Sequence, residues 1–200
     1  MSASAIFLVV ACAVAAVLLV WGARTYNRLV QLRNRIANTF GQIDVQLKRR
    51  HDLIPNLVEV ARKYMEHENA TLVAVTQARG LAQGAAEAAR AQPGSAAAMG
   101  ALAAAEQSLM GQVGRLLAIS EDYPALKADQ NMRELSEEIA STKNRIGFAR
   151  QAYNDAVLDL NNAAQAFPDV LLARLTGFAP ALPLEATASE EERAAPRVSF

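Results

Sequence analysis

The sequence is short of cysteine, of aromatic side chains and of net charge. Its single cysteine, Cys12, lies in an apolar run, so one chain can form neither a disulfide framework nor a cysteine-based metal site. Only 6% of the residues are aromatic, while 52% are hydrophobic and many of these are Ala, a composition that favours packed helices over sheets. The formal net charge is zero, so the overall balance gives no electrostatic reason to expect a nucleic-acid partner.

Charged side chains are also absent from Ser2 to Ala23, SASAIFLVVACAVAAVLLVWGA. As a helix with a rise of about 1.5 Å per residue, this stretch would span roughly 33 Å, enough to cross the hydrocarbon core of a bilayer. We therefore predict a transmembrane anchor over residues 1–23. A cleaved signal peptide is the alternative, but it usually has a basic amino-terminal region and a shorter apolar core.

The arginines that follow the apolar stretch predict its orientation. Arg24, Arg28, Arg33 and Arg35 lie just after it, whereas only the amino terminus precedes it. The positive-inside rule then places the C-terminal domain in the cytoplasm. The envelope-facing orientation is the alternative, because a domain already committed to export can override a few arginines.

Hydrophobic spacing beyond the anchor predicts a helix from about Arg24 to Arg50. Its apolar residues recur at steps of three and four: Leu29, Leu32, Ile36, Phe40, Ile43 and Leu47. The pattern continues in phase, but Pro55 lacks an amide hydrogen and disfavours helical geometry at Ile54. We therefore predict a turn at His51 and Asp52, where the Asp side chain can cap a new helix. One kinked helix is the alternative.

Three further helices are predicted. The second runs to about Ala91, and the third extends from about Ala96 to Ile119, after a Gln-Pro-Gly-Ser breaker. The fourth, from about Ala125 to Phe167, keeps its apolar steps without a slip, which indicates a bundle or coiled-coil seam. The predicted fold is all-α: an N-terminal transmembrane helix, then an antiparallel up-and-down four-helix bundle with long helices over residues 24–178. Residues 179–200 are predicted to be an irregular, disordered C-terminal tail.

A charged cluster stands at the predicted turn between the first two helices. With its polar neighbours it comprises Lys48, Arg49, Arg50, His51, Asp52, Asn56 and Glu59. The simplest interpretation is structural, with basic side chains near the negative end of one helix dipole and an acid at the positive end of the next. If the first helix rises about 40 Å from the bilayer, this corner is also the distal tip of the domain. These seven residues are then a candidate partner-binding tip that would recognise an acidic segment of a protein.

The sequence predicts no catalytic, metal or cofactor site. His51 beside Asp52 superficially suggests an acid–base pair, but adjacent residues rarely face each other, and no Ser or Cys nucleophile is marked out nearby. A zinc site is not supported either, because His51 and His67 lack the i, i+4 spacing of a helical HExxH motif. No enzymatic activity is therefore expected.

Three charged residues interrupt the apolar phase of the second and third helices, namely Glu68, Arg79 and Glu106. One hypothesis is a buried polar register, in which an ion pair between Arg79 and an acid fixes the alignment of the helices. Such buried pairs often add little net stability. The alternative is that these side chains reach out from the edge of the apolar stripe.

A long segment from Tyr26 to Arg79, YNRLVQLRNRIANTFGQIDVQLKRRHDLIPNLVEVARKYMEHENATLVAVTQAR, closely resembles the signature of LemA family proteins. Three later segments within Tyr123 to Phe178 resemble the second half of the family in the same order: YPALKADQNMRELSEEI, NRIGFARQAYNDAV and FPDVLLARLTGF. The resemblance implies a bacterial protein with an N-terminal membrane segment and a cytoplasmic or envelope-facing four-helix bundle. It implies no established enzymatic activity.

These observations together favour a single-pass scaffold or adaptor in the bacterial inner membrane. Its partners would be other membrane or envelope proteins, and homo-oligomerisation is compatible with this role. The alternative is a self-assembling coiled-coil protein that organises the membrane, which the regular fourth helix favours. An enzyme is the third and least supported class.

Overall fold

The computed structural model describes residues 3–65 and 67–184. It contains six helices: α1 (Ala3–Arg62), α2 (Asn69–Ala91), α3 (Ala96–Ser120), α4 (Pro124–Ala128), α5 (Gln130–Gln165) and α6 (Asp169–Leu175). These described residues contain no strand, so the predicted all-helical class is confirmed. Residues 185–200, which form most of the predicted tail, lie outside the described residues.

The first helix is one uninterrupted rod of 60 residues. At about 1.5 Å per residue, it is roughly 90 Å long. Near its N-terminus, an 18-residue window has a mean hydropathy of 2.9 and is 0% buried by the rest of the protein. By length and composition, α1 is the one helix in the described part of the chain that can cross a membrane. The predicted apolar N-terminal helix is confirmed to this extent.

The predicted turn at His51 and Asp52 is wrong. Helix α1 continues through both residues and through Pro55, and the chain reverses only after Arg62. The second helix therefore begins at Asn69. An interior proline costs about 3 kcal/mol or more. Apolar burial offsets part of this cost, because four residues around and beyond the proline are buried on the same stripe: Ile54, Leu57, Val58 and Ala61.

Four long helices, α1, α2, α3 and α5, contribute to both of two hydrophobic clusters. The cluster nearer the apolar end of α1, called the near cluster, includes Phe40, Ala89, Leu102 and Tyr153. The other, called the far cluster, includes Leu57, Leu72, Leu116 and Ile139. Helices α1 and α3 run from the near to the far cluster, and α2 and α5 run back. Helix α1 packs against both α2 and α5, and α3 packs against α2.

The regular seam predicted for the fourth helix is mostly buried within the chain. Its buried members are Met132, Ile139, Thr142, Ile146, Tyr153, Ala156, Leu160 and Ala163. The last predicted member, Phe167, is 83% exposed. It lies beyond the seam because α5 ends at Gln165.

Residues after α6 pack along α5 through paired side-chain amides. Asn161 exchanges two hydrogen bonds with the backbone of Ala181, both at 2.9 Å. Asn154 does the same with Leu184, at 3.1 and 2.8 Å. Tyr153 donates to the Leu182 carbonyl at 3.0 Å, and burial raises the pKa of Tyr153 to about 12. Residues 179–184 are thus irregular, as predicted, and they are docked on α5.

Asp129 separates α4 from α5 and divides the predicted fourth helix. Its Oδ1 accepts a hydrogen bond from the Met132 amide at 3.2 Å, as a helix N-cap. Its Oδ2 accepts another from the Tyr64 hydroxyl at 3.0 Å. The backbone hydrogen bond from Met132, followed by that from Tyr64, lowers the pKa of Asp129. Asp129 therefore links the turn after α1 to the start of α5.

Replacing Asp129 with Asn should reduce the acid sensitivity of the fold. Because the folded-state pKa is below the ordinary value of 3.8, the carboxylate stabilises the fold above that pH and loses its contribution as the pH falls through the folded-state pKa. Asn keeps an oxygen for the cap but does not ionise. We expect the difference in unfolding free energy between wild type and Asp129→Asn, measured by denaturant titration in detergent, to shrink below pH 3.8. A pH-independent difference, or the same change in the exposed-acid control Asp122→Asn, would contradict this.

Candidate functional site

A buried polar cluster crosses the domain between the two hydrophobic clusters. It consists of Arg50 and His51 of α1, Arg79 of α2, Glu106 of α3 and Thr142 of α5. Arg50, His51 and Thr142 are buried, and the side chain of Glu106 is only 14% exposed. Each of the four long helices therefore contributes at least one charged or polar group to the cluster.

Glu106 binds two adjacent side chains of α1. Its Oε2 accepts a hydrogen bond from Arg50 Nη1 at 3.0 Å, and its Oε1 lies 2.6 Å from His51 Nε2. Arg50 Nε also donates to Thr142 Oγ1 at 3.2 Å, and that hydroxyl donates to the Ile139 carbonyl at 2.6 Å. Burial lowers the pKa of Arg50, and the charge of Glu106 opposes this effect. The guanidinium remains charged, because arginine titrates far above neutral pH.

Arg79 provides the hydrogen bond that Pro55 cannot give. In a regular α-helix, the carbonyl of His51 would accept from the amide four residues later. That residue is Pro55, which has no amide hydrogen. Arg79 Nε reaches across from α2 and donates to the His51 carbonyl oxygen at 2.6 Å. This contact satisfies the acceptor that the proline leaves free, and together with the apolar burial around Pro55 it offsets the cost of a proline inside α1.

The structure divides the predicted partner-binding tip into exposed and buried residues. The exposed residues are Lys48, Arg49, Asp52, Asn56 and Glu59. Arg50 and His51 are buried in the polar cluster. All seven lie within α1, whose C-terminal end is at Arg62, so their predicted position at a corner is wrong. Partner binding by the exposed members stays a prediction.

Three of the exposed members, Lys48, Arg49 and Asp52, take part in ion pairs along and between helices. Lys48 Nζ lies 3.0 Å from Asp52 Oδ2, one helical turn away. Arg49 Nε donates to Glu138 Oε1 of α5 at 2.9 Å. Exposed pairs of this kind typically contribute about 0–1 kcal/mol, so they leave these charges accessible for exchange with a partner.

Two of the three residues predicted for a buried polar register belong to the cluster. Glu106 forms an ion pair, but its basic partner is Arg50. Arg79 contacts a backbone carbonyl in place of the predicted acid. Glu68 lies in the turn before α2, where its backbone carbonyl accepts from Thr71 and its side chain makes no capping hydrogen bond. The sequence signal for Arg79 was its charge in an apolar phase, together with a proline four residues after His51.

A shallow groove runs between α1 and α5 on the surface beside the cluster. Its lining residues are Gln42, Val45, Gln46, Arg145, Phe148 and Ala149. Phe148 is 75% exposed and Val45 is 62% exposed. Gln46 Oε1 is the one buried side-chain nitrogen or oxygen atom, within the described residues, that has no hydrogen-bond partner. Helical periodicity does not reveal this groove, because its large apolar residues lie outside the buried stripes.

The polar cluster directs its hydrogen bonds inward. Both carboxylate oxygens of Glu106 are occupied by Arg50 and His51. Across residues 3–65 and 67–184, no three His, Cys, Asp or Glu residues lie close enough together to hold a metal ion. The geometry therefore supports a structural role for the cluster, whereas the groove offers accessible apolar surface.

Comparison with protein families gives one match to this chain. The model of the LemA family matches residues 39–200, which include the whole polar cluster and the groove. A comparison with curated protein sequences finds no match. The predicted family resemblance is confirmed.

Arg79→Met should destabilise the fold by about 1–3 kcal/mol, because it leaves the partly buried His51 carbonyl without a donor. Pro55→Ala restores an amide that can donate to the same carbonyl. In the Pro55→Ala background, Arg79→Met should therefore cost less. The measurement is the unfolding free energy of the four proteins of this double-mutant cycle, determined in detergent. Additive effects would show that Arg79 does not compensate for the proline, and exposed Arg115→Met is the control for loss of an arginine.

Glu106→Leu should destabilise the fold by about 3–5 kcal/mol, since it leaves the buried Arg50 guanidinium without its carboxylate. Adding Arg50→Met should recover much of this loss, because both buried charges are then replaced by apolar side chains. Equilibrium unfolding of the single and double variants provides the test. Equal stability of Glu106→Leu and wild type would rule out a buried ion pair at this position.

Proposed function

Since the chain belongs to the LemA family, we propose that it is a single-pass, non-enzymatic membrane adaptor whose α1–α5 groove binds another membrane or envelope protein. The observation that carries this proposal is the exposure of Phe148 and Val45 along the groove. Aromatic residues and arginine are enriched at protein interfaces, and Arg145 lies in the same groove.

The apolar part of α1 supports membrane anchoring. Ten large apolar side chains between Ile6 and Val20 are more than half exposed. A contiguous exposed apolar surface of this kind is typical of a site that contacts a membrane or another protein. A hydrocarbon core of about 30 Å fits the uncharged part of α1 from Ala3 to Ala23, which is about 32 Å long. The arginines from Arg24 to Arg35 then favour a domain on the cytoplasmic side of the bacterial inner membrane.

The continuity of α1 supports a protein as the partner in the groove. The same rigid helix forms the apolar segment and one wall of the groove. From Val20 to Val45, the helix rises by about 38 Å. The groove would therefore stand well clear of the lipid that surrounds the anchor. A partner with apolar side chains and an acidic group would match Phe148 and Arg145.

The alternation of chain direction supports an up-and-down four-helix bundle made of α1, α2, α3 and α5. In this arrangement, the buried polar cluster fixes the alignment of the helices relative to one another. A charge from one helix loses its partner if that helix slides by one turn, because Glu106 must meet Arg50 and His51 together. Polar groups buried in helical assemblies serve this purpose in some systems.

Self-assembly is the second candidate function. The seam of α5 lies mostly in the core of its own chain, so it does not provide the free coiled-coil surface that the sequence suggested. The exposed Phe148 of the same helix could still contact a second copy. The two candidates differ in the identity of the molecule that occupies the groove.

A photo-crosslinking amino acid at Val45, used in living cells, should capture a specific membrane or envelope protein. The matched control is the same crosslinker at the exposed Leu81 of α2, which should not capture it. Phe148→Glu should abolish capture at Val45, because it removes the apolar contact and adds a charge of the wrong sign for an acidic partner. Capture of this chain alone would support self-assembly. Identical products at Val45 and Leu81 would contradict a groove-specific partner.

The orientation of the domain can be tested with a single cysteine. Leu81→Cys in a Cys12→Ala background places one thiol on the exposed surface of α2. A membrane-impermeant thiol reagent should label it only after the inner membrane is permeabilised. Labelling while the inner membrane is intact would show that the domain faces the envelope.

A further inference from the structure

Three large apolar side chains are exposed around α6. Phe167 and Leu175 are each 83% exposed, and Leu171 is 60% exposed. Leu171 and Leu175 lie one helical turn apart on the same face of α6. Ala173, between them in sequence, points to the opposite side and is buried in the near cluster. Helix α6 therefore packs on the domain with one face and presents leucines on the other.

Helix α6 is fixed to α1 just after the apolar segment. Thr25 Oγ1 donates to Asp169 Oδ1 at 3.0 Å, and Arg28 Nη1 lies 3.7 Å from Asp169 Oδ2. Thr25 is only five residues beyond Val20, a rise of about 7.5 Å. The headgroup region on each side of a bilayer is about 5–7 Å thick. If Val20 lies at the end of the hydrocarbon core, the start of α6 lies near the outer edge of the headgroup region.

The residues after α6 hold its other end near the same part of α1. The ring of Phe178 packs edge-to-face on Tyr26, with 6.0 Å between the ring centroids. The guanidinium carbon of Arg33 lies 5.6 Å from the centre of the Phe178 ring. Since both ends of α6 are tied to α1, its depth relative to the bilayer is set by that of α1.

The charges at this level complement an anionic lipid surface. Arg24 and Arg28 of α1 and Arg174 of α6 are all exposed. Apolar side chains surrounded by basic residues are typical of segments that lie in the interface of anionic membranes. Basic residues next to a membrane are attracted by the negative potential of the lipid surface.

We propose that Phe167, Leu171 and Leu175 form a second membrane contact, which inserts into the headgroup–acyl boundary of an anionic bilayer beside the α1 span. The inference rests on the proposed anchoring of α1. A bilayer is the occupant because Asp169 ties α6 to Thr25 and Arg28, just after the apolar segment, and because exposed arginines lie at the same level. The second contact would fix the tilt and the rotation of the α1 rod, and with them the direction that the groove faces.

The test measures the depth of single positions in a bilayer. The full-length chain with Cys12→Ala carries one cysteine, at Leu171 or at Leu175, labelled with an environment-sensitive fluorophore. It is reconstituted into bilayers of phosphatidylglycerol and phosphatidylcholine that contain acyl-chain spin-labelled lipid as a quencher. Val17→Cys reports on the span, and Val73→Cys, on the exposed surface of α2 beside the far cluster, is the distal control. Quenching at Leu171 and Leu175 should be several-fold greater than at Val73.

The outcomes separate this inference from the anchoring proposal. Quenching at Val17 without quenching at Leu171 and Leu175 would overturn the second contact and leave the anchor intact. No quenching at Val17 would overturn both. Equal quenching at Val73 would show that the whole domain lies on the bilayer, which also contradicts the proposal.

Substitution of one leucine provides an independent readout. Leu171→Glu should reduce quenching at the Leu175 position, because it places a negative charge at the anionic interface. The matched variant Val73→Glu should leave quenching at the Leu175 position unchanged. Quenching unaffected by Leu171→Glu would contradict the insertion of this face.

Discussion

The hydrogen bond from Arg79 to the His51 carbonyl is the contact on which the arrangement of the helices depends. Pro55 removes the amide that would otherwise occupy this carbonyl, and an unpaired carbonyl inside a protein is costly. The guanidinium of α2 satisfies it at 2.6 Å. Helix α1 can therefore extend past the proline to Arg62 and supply Leu57 and Ala61 to the far cluster.

The buried polar cluster connects the Arg79–His51 hydrogen bond with the packing of the four long helices. Arg50 contacts Glu106 of α3 and Thr142 of α5, so one residue of α1 aligns two other helices. A buried charge pair adds little net stability compared with apolar packing, but removing one partner is expensive. In the proposed register role, the cluster would contribute more to the uniqueness of the arrangement than to its overall stability.

A single helix that supplies both the apolar segment and part of the core connects the two proposed surfaces. Helix α6 is attached to α1 at Thr25, only five residues after Val20. The groove at Val45, in contrast, lies about 38 Å from Val20 along α1. In the proposed orientation, lipid would reach the first surface, and a protein would be needed to reach the second. Because α1 is continuous, a change in its tilt at the bilayer would move the groove as a rigid body. The large apolar residues of both surfaces, such as Phe148 and Leu171, lie outside the two hydrophobic clusters.

Local patterns in the sequence determined the helices and the apolar segment, because both depend on the residues that are close together in the chain. Steps of three and four predicted the helical class, the start of α3 at Ala96 and most of the buried seam of α5, and the lack of charge before Arg24 predicted the apolar helix. Tertiary contacts decided the features that these patterns could not determine. Pro55 stays in a helix because of an arginine 28 residues away from His51, and residues 181–184 are docked by amides of Asn154 and Asn161. The physical reason is that periodicity reports which face of a helix is buried, whereas the donor that satisfies a given backbone group can come from any part of the chain.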